Sequence, residues 1–325
     1  MLAACAAALM LACAPESLTQ KEIWTDTDGV RLNAHGAGIL CHDGTYYMYG
    51  EYKTGPTRLN PGLGWECYRT EFTGVSCYSS RDLVHWKFRG LALAAVEDTG
   101  SDLHPGMVIE RPKVIYNPAT GKFVMWMHVD SDNYMKACAG VAVADNPCGP
   151  FEYLGSLRPN GGMSRDQTLF VDTDGSAWQI AASENNETLH FNRLNDEYTA
   201  PTGEYYRVME GLSREAPVVF KRDGRYYLLS SGCSGWDPNQ AQIAVADSLQ
   251  GPWTILPQPC TGPDADKTFY GQSTCAIDLG GGHFIACFDV WNKLDLEDSR
   301  YFWLPVEFKP DGTVEIPWKD RFPAI

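Results

Sequence analysis

The chain has 325 residues, a net charge of −15 and 12% aromatic side chains. A surface this acidic repels phosphate backbones and anionic membranes, and no Lys/Arg cluster offsets it, so nucleic acid is excluded as an expected partner. The aromatic content, together with 31 Gly and 20 Pro, excludes a disordered, fibrous or coiled-coil protein and favours a turn-dense β fold.

Residues 1–14, MLAACAAALMLACA, form the long apolar run of the chain and are too few to cross a bilayer as a helix. They read as the apolar part of a signal peptide, and Met10-Leu11-Ala12-Cys13 approximates a bacterial lipoprotein processing site. Residues 1–21 are therefore expected to be a signal and a short tether. The product would be exported to the periplasm or cell surface, with membrane contact only through a lipid on Cys13; a plain secretory signal is the other reading. Of 11 cysteines, setting Cys5 and Cys13 aside leaves an odd number, so at least one thiol is expected unpaired. Cys67 and Cys77 flank a short insertion and either bridge or stay as buried thiols. No Cys/His spacing suggests zinc.

From residue 22 onward the chain repeats itself. A turn followed by an aromatic-rich strand occurs at 43–50 (DGTYYMYG), 121–129 (GKFVMWMHV), 174–183 (DGSAWQIAAS), 223–232 (DGRYYLLSSG) and 281–290 (GGHFIACFDV). Each is followed by a second strand with a polar turn, and two of these, VAVADNPCGPF and IAVADSLQGPW, are near copies. Five such units with period-2 alternation of apolar residues predict an all-β fold, a five-bladed β-propeller, as one domain over 22–325. The Gly- and Pro-containing insertion EYKTGPTRLNPGLGWECYRTEF at 51–72 is expected to be a loop. His85 and Trp86, in SSRDLVHWKF, are expected to close a blade.

The innermost strand of each blade runs along the propeller axis, so equivalent positions converge there. The segments ahead of the five turns are AHGAGIL, IERPKVIY, SRDQTLFV, SREAPVVF and GQSTCAID, each polar at its start and apolar after it. The polar residues in register are His35, Glu110, Asp166, Glu215 and Gln272. Three carboxylates, an imidazole and an amide around one axial pocket are costly to desolvate and contribute nothing to folding, which points to function. The structural alternative is that they satisfy backbone groups at the propeller mouth or hold an ion. Two carboxyls facing across a pocket are what glycoside hydrolysis requires, one donating a proton to the leaving oxygen and one assisting water. Asp172 and Asp174 in VDTDG superficially suggest a calcium loop, but Asp-Gly is a common hairpin turn and no metal is assigned there.

These segments, with YYMYGE, SGWDPN and GQST, resemble glycoside hydrolase family 43 over essentially residues 22–325. The resemblance implies a five-bladed propeller that removes sugars from plant polysaccharides or oligosaccharides with inversion. By motif, Glu215 matches the family's general acid and Asp166 the residue that tunes its pKa, with Arg214 pointing away. The family's first-blade Asp is absent and His35 occupies its place. That departure resembles the exo-β-1,3-galactanase branch, which places a Gln near the water, here Gln272. Gln272 then either positions the water or accepts its proton through an imidic tautomer; Glu110 is the other carboxylate with a path to the water. The α-L-arabinofuranosidase and β-galactofuranosidase branches, and a non-catalytic glycan-binding propeller, remain as alternatives. Glu51 and Tyr134 resemble positions that contact sugar hydroxyls in this branch. Trp236 is placed as a stacking floor and His35 among the substrate contacts. No cofactor or protein partner is implied; many members hold an axial ion such as calcium, which the sequence leaves open.

Overall fold

The structure, a computed structural model, describes residues 17–325; the expected signal segment and Cys13 lie outside the described residues. Five antiparallel sheets follow one another along the chain. The first blade pairs His35–His42, Thr45–Asn60, Cys67–Ser80 and Lys87–Ala94, and the second pairs Val108–Asn117, Lys122–Asp130, Cys138–Ala144 and Glu152–Leu157. The third holds Gln167–Val171, Ala177–Ser183, Thr188–Leu194 and Pro201–Val208; the fourth holds Arg214–Arg222, Arg225–Gly232, Gln242–Ala246 and Thr254–Ile255. The fifth blade, Gln272–Asp278, Phe284–Val290, Arg300–Phe308 and Val314–Pro317, gains an outer parallel strand, Cys260–Thr261.

The central strands of the blades, such as Lys122–Asp130, Ala177–Ser183 and Arg225–Gly232, are buried along nearly their whole length, so each sheet has two buried faces and the cores lie between blades. One cluster fills each seam. Trp24, Leu32, Ile277 and Trp303 join blades one and five, Met125, Phe123 and Val75 join one and two, and Trp126, Val141 and Leu194 join two and three. Phe191, Trp178 and Leu228 join three and four, and Phe220, Phe288 and Phe302 join four and five. Each large buried apolar side chain stabilises the fold by roughly 1.5–3 kcal/mol, so the ring is held together seam by seam. The near copies noted in the sequence occupy matching turns of blades two and four. Gly149 has φ +79° and a Cβ there would meet the Ala92 carbonyl at 2.6 Å, so only glycine fits.

Two expectations are corrected, and the reading of Cys67 and Cys77 as buried thiols holds. Residues 17–21 are part of the fold and not a tether: Ser17–Thr19 pairs with Arg321–Pro323, and Gln20 Nε2 donates to the Trp303 carbonyl at 2.6 Å. The 51–72 insertion is no loop, because its strand residues extend the first blade's hairpin as far as the Asn60–Cys67 pair. Cys67 and Cys77 consequently lie ten residues apart on one strand, roughly 30 Å by extended-chain rise, far beyond the ~5.5 Å Cα spacing of a disulfide. Both are free thiols, and Cys77 instead neighbours Cys148 of blade two. Trp86 is fully buried in the seam between blades one and five, and His85 pairs with Asp82 at 2.6 Å.

Candidate active site

The inner strands of blades one, two and four each break register directly after their polar residue: between His35 and Gly38, Glu110 and Lys113, and Glu215 and Val218. The next residue is left-handed in all three, Gly36 at φ +60°, Arg111 at +49° and Ala216 at +50°. A bulge of this kind re-aims the side chain before it. Holding a non-glycine residue there costs on the order of 1–3 kcal/mol, a strain that clusters at functional sites.

Glu110 and Glu215, turned by their bulges, line one axial cavity of about 760 Å³ with Asp166, Gln272, Glu51, Tyr134 and Trp236. That volume lies in the range of about 300–1,000 Å³ typical of small-ligand sites. His35 is the correction within the ring. It is fully buried, stacks on Tyr301 with centroids 5.9 Å apart, lies beside Trp291, and does not line the cavity. Its cross-strand partner Glu51 faces the cavity instead, so His35 is no sugar contact.

Arg111 occupies the centre of the site. Its Nε pairs with Asp166 Oδ1 at 2.9 Å, Nη2 donates to Gln272 Oε1 at 2.5 Å, and Nη1 donates to the Ser273 carbonyl at 3.0 Å. Its own backbone N–H donates to Glu51 Oε1 at 3.0 Å, and Lys53 pairs with the other Glu51 oxygen at 2.7 Å. Glu110 accepts from the Tyr134 hydroxyl at 2.7 Å and from His128 Nδ1 at 3.1 Å. Burial alone would raise the Glu110 carboxyl, but the His128 hydrogen bond and charge outweigh it and hold it well below the usual carboxylate range.

Glu215 behaves oppositely. Burial, followed by the Asp166 charge, pushes its carboxyl up to about 7. Burial is the larger cause, where the sequence pointed only to Asp166. Asn186 Nδ2 donates to Glu215 Oε1 at 2.7 Å, and Arg214 turns away to bond Ser230 Oγ at 3.1 Å. A carboxyl near 7 is partly protonated at neutral pH and can give a proton to a leaving oxygen, while Glu110 stays ionised.

Among the described residues, Glu110, His128 and Asp166 come nearest to a metal-ligand set, with one ligand atom of each within 4.8 Å of the others. They do not fit a cation. His128 Nδ1 and Nε2 face carboxylate oxygens of Glu110 and Asp130 at 3.1 and 3.0 Å, so both ring nitrogens are already engaged as donors. Arg111 already neutralises Asp166. Asp172, from the VDTDG turn, is bound by Lys221 and Tyr226, each at 2.5 Å.

Sequence reasoning missed Arg111, His128, Asn186, Trp291 and Asp289. His128 and Asp289 sit directly across the hairpin from Glu110 and Gln272, so reading one strand outward from each ring position finds both. Asp289 is buried and accepts from the Gly36 N–H at 2.5 Å; burial pushes its carboxyl up to about 7.

A five-bladed propeller with carboxyls of opposed protonation at its axis defines the class, and the glycosyl hydrolases family 43 model matches residues 39–314: the chain belongs to that family. It is similar to a family 43 β-1,3-galactosidase solved with galactodeoxynojirimycin, at 42% identity and a TM-score of 0.88, covering 94% of this chain and 100% of that one. It is also similar to the exo-β-1,3-galactanase of Phanerochaete chrysosporium solved with β-1,3-galactotriose, at 37% identity and a TM-score of 0.84, covering 94% of this chain and 67% of the other. Among curated relatives, a β-D-galactofuranosidase of Aspergillus niger is 28% identical over 158 residues, 45% of this chain and 46% of its own. The alignments span less than half the length of the curated relatives matched.

Proposed function

We propose that this protein is an exported, inverting, exo-acting glycoside hydrolase that releases galactose from β-1,3-galactan chains such as those of plant arabinogalactan. The observation that carries the reading is the Glu215 carboxyl, held at about 7 by burial and by Asp166 at the wall of an axial cavity. Glu215 donates its proton to the glycosidic oxygen as that bond breaks, Asp166 keeps Glu215 protonated, and a water near Gln272 attacks the anomeric carbon from the opposite face while its proton passes to the ionised Glu110 carboxylate or to solvent. Glu51, Tyr134 and Trp236 contact the sugar. The galactan substrate is supported by the likeness to a β-1,3-galactosidase and an exo-β-1,3-galactanase over nearly the whole chain. The arabinofuranosidase and galactofuranosidase readings have weaker support, the latter from a match at 28% identity. A glycan-binding module would gain nothing from a carboxyl poised near neutral pH. Export rests on the apolar run at 1–14 alone.

The test is incubation with β-1,3-galactan, arabinan and galactofuranosides, with the released sugar and its first-formed anomer read by NMR. Free galactose appearing first as the α-anomer is expected. Another sugar, the β-anomer, or internal cleavage products would each replace part of the reading. The mass of the mature N-terminus recovered from cells tests processing at Cys13.

A further inference from the structure

The side-chain amide of Gln272 has one possible orientation. Its Oε1 accepts from Arg111 Nη2 at 2.5 Å and from the Trp291 indole N–H at 3.3 Å, while Nε2 donates to Ser231 Oγ at 3.0 Å. Guanidinium and indole nitrogens only donate, so exchanging the amide's oxygen and nitrogen would set N–H groups against N–H groups. Both lone pairs of the amide oxygen are therefore occupied and one amide N–H is used. The second N–H is what the amide has left for the cavity that Gln272 lines.

Arg111 cannot turn aside to release that oxygen. It is buried, its Nε and Nη1 are tied to Asp166 and to the Ser273 carbonyl, and its carbonyl accepts from Gln167 Nε2 at 2.6 Å. We propose that Arg111 is a positioning residue that fixes Gln272 as a hydrogen-bond donor to the attacking water, so that the amide aims the water and does not take its proton. The proposal rests on the hydrolytic reading above. The imidic form that would make Gln272 a base puts a hydroxyl hydrogen on the oxygen that Arg111 and Trp291 already face with their own hydrogens.

The test measures kcat on a galactan oligomer and an aryl β-galactoside across pH. Gln272→Glu gives the site a carboxylate but removes the donating N–H, and the new charge lies against Arg111. Its kcat is expected at least about ten-fold below wild type and within about three-fold of Gln272→Ala. A Gln272→Glu enzyme as fast as wild type, or faster, overturns the proposal, because a base would be improved by that change. Arg111→Lys is then compared in the wild-type and Gln272→Ala backgrounds. It should lower kcat about ten-fold with KM within about two-fold in the first, and by at least three-fold less in the second, where no amide remains to be aimed. Equal losses in both backgrounds would make Arg111 merely structural and overturn its role. If Arg111→Lys does not fold, Trp291→Phe, which removes the other donor, goes through the same cycle under the same criterion. Failure of the hydrolytic reading is seen separately, as a wild type that releases no sugar from either substrate, and this inference falls with it.

Discussion

The backbone N–H of Ala216, the residue directly after Glu215, donates to Asp166 Oδ2 at 3.1 Å while Arg111 Nε pairs with Oδ1 at 2.9 Å. Asp166 is thus held at the seam of blades three and four beside the carboxyl it influences. The Asp166 charge is the second cause, after burial, of the raised Glu215 pKa. Removing it in Asp166→Asn lowers that pKa, so Glu215 loses its proton at lower pH. The alkaline limb of kcat/KM against pH, near 7 in the wild type, should move toward acid, and activity at pH 7 should fall. A limb that stays in place would assign the whole shift to burial.

Glu215→Gln removes the transferable proton but keeps an acceptor for Asn186 Nδ2, which donates to Glu215 Oε1. Turnover of galactan should drop about 10²-fold to 10⁴-fold, the usual worth of a general acid. An aryl galactoside with a good leaving group needs little protonation and should lose much less. Equal loss on both substrates would give Glu215 another role.

How much of this site was legible depended on where each residue sits relative to the repeat. Glu110, Asp166, Glu215 and Gln272 were found because inner strands repeat in register, and register carries to the axis. His35 shares that register but not the cavity: its strand bulges at Gly36, where a Cβ would collide with the Glu51 carboxylate, and the buried Glu51 lines the cavity from across the hairpin. Arg111 was passed over because a cation after a site carboxylate reads as solvated surface, whereas its left-handed backbone turns it inward. The 51–72 segment misled for a different reason. Its Gly and Pro read as loop punctuation, yet Gly55 (φ +89°) falls at a register shift inside a long hairpin, and Pro61 and Gly62 sit at its tip.

That hairpin leans over the cavity and is fastened on two sides. Trp236 Nε1 donates to the Glu66 carbonyl at 2.7 Å, Lys293 pairs with the Glu66 carboxylate, and the Leu296 N–H donates to Thr57 Oγ1 at 2.8 Å. On the blade-two side Asn60 Nδ2 donates to the Asp132 carbonyl at 2.8 Å, and Trp65 packs edge-on to Tyr134 at 5.3 Å. Replacing residues 57–68 with a two-residue turn should leave the seams between blades intact and the unfolding temperature within a few degrees. KM for galactan oligomers should rise about ten-fold or more, as the wall carrying Trp65 is lost. An unchanged KM would show that the hairpin does not touch substrate.

Asp289 offers a test that needs no substrate. Its carboxyl is raised from 3.8 to about 7, chiefly by burial, with the Gly36 N–H opposing. In the unfolded chain it ionises near 3.9, so below that pH both states hold the proton and the group costs the fold nothing. Between about 4 and 7 the unfolded state ionises freely while the folded state keeps its proton, so folding stability falls as pH rises, at up to about 1.4 kcal/mol per pH unit. Above about 7 the full cost is in place. Asp289→Asn keeps an oxygen to accept from Gly36 N–H and removes the ionisation, so it should be more stable than wild type at pH 8, on the order of 1–3 kcal/mol after relaxation. The gain should shrink steadily on acidification and vanish near pH 4. Urea unfolding of both proteins at pH 4, 6 and 8 reads this directly. A gain independent of pH would mean that the substitution acts through packing, and a loss at pH 8 would mean that the carboxylate is held in place by Arg111 and Lys113 more strongly than burial opposes it.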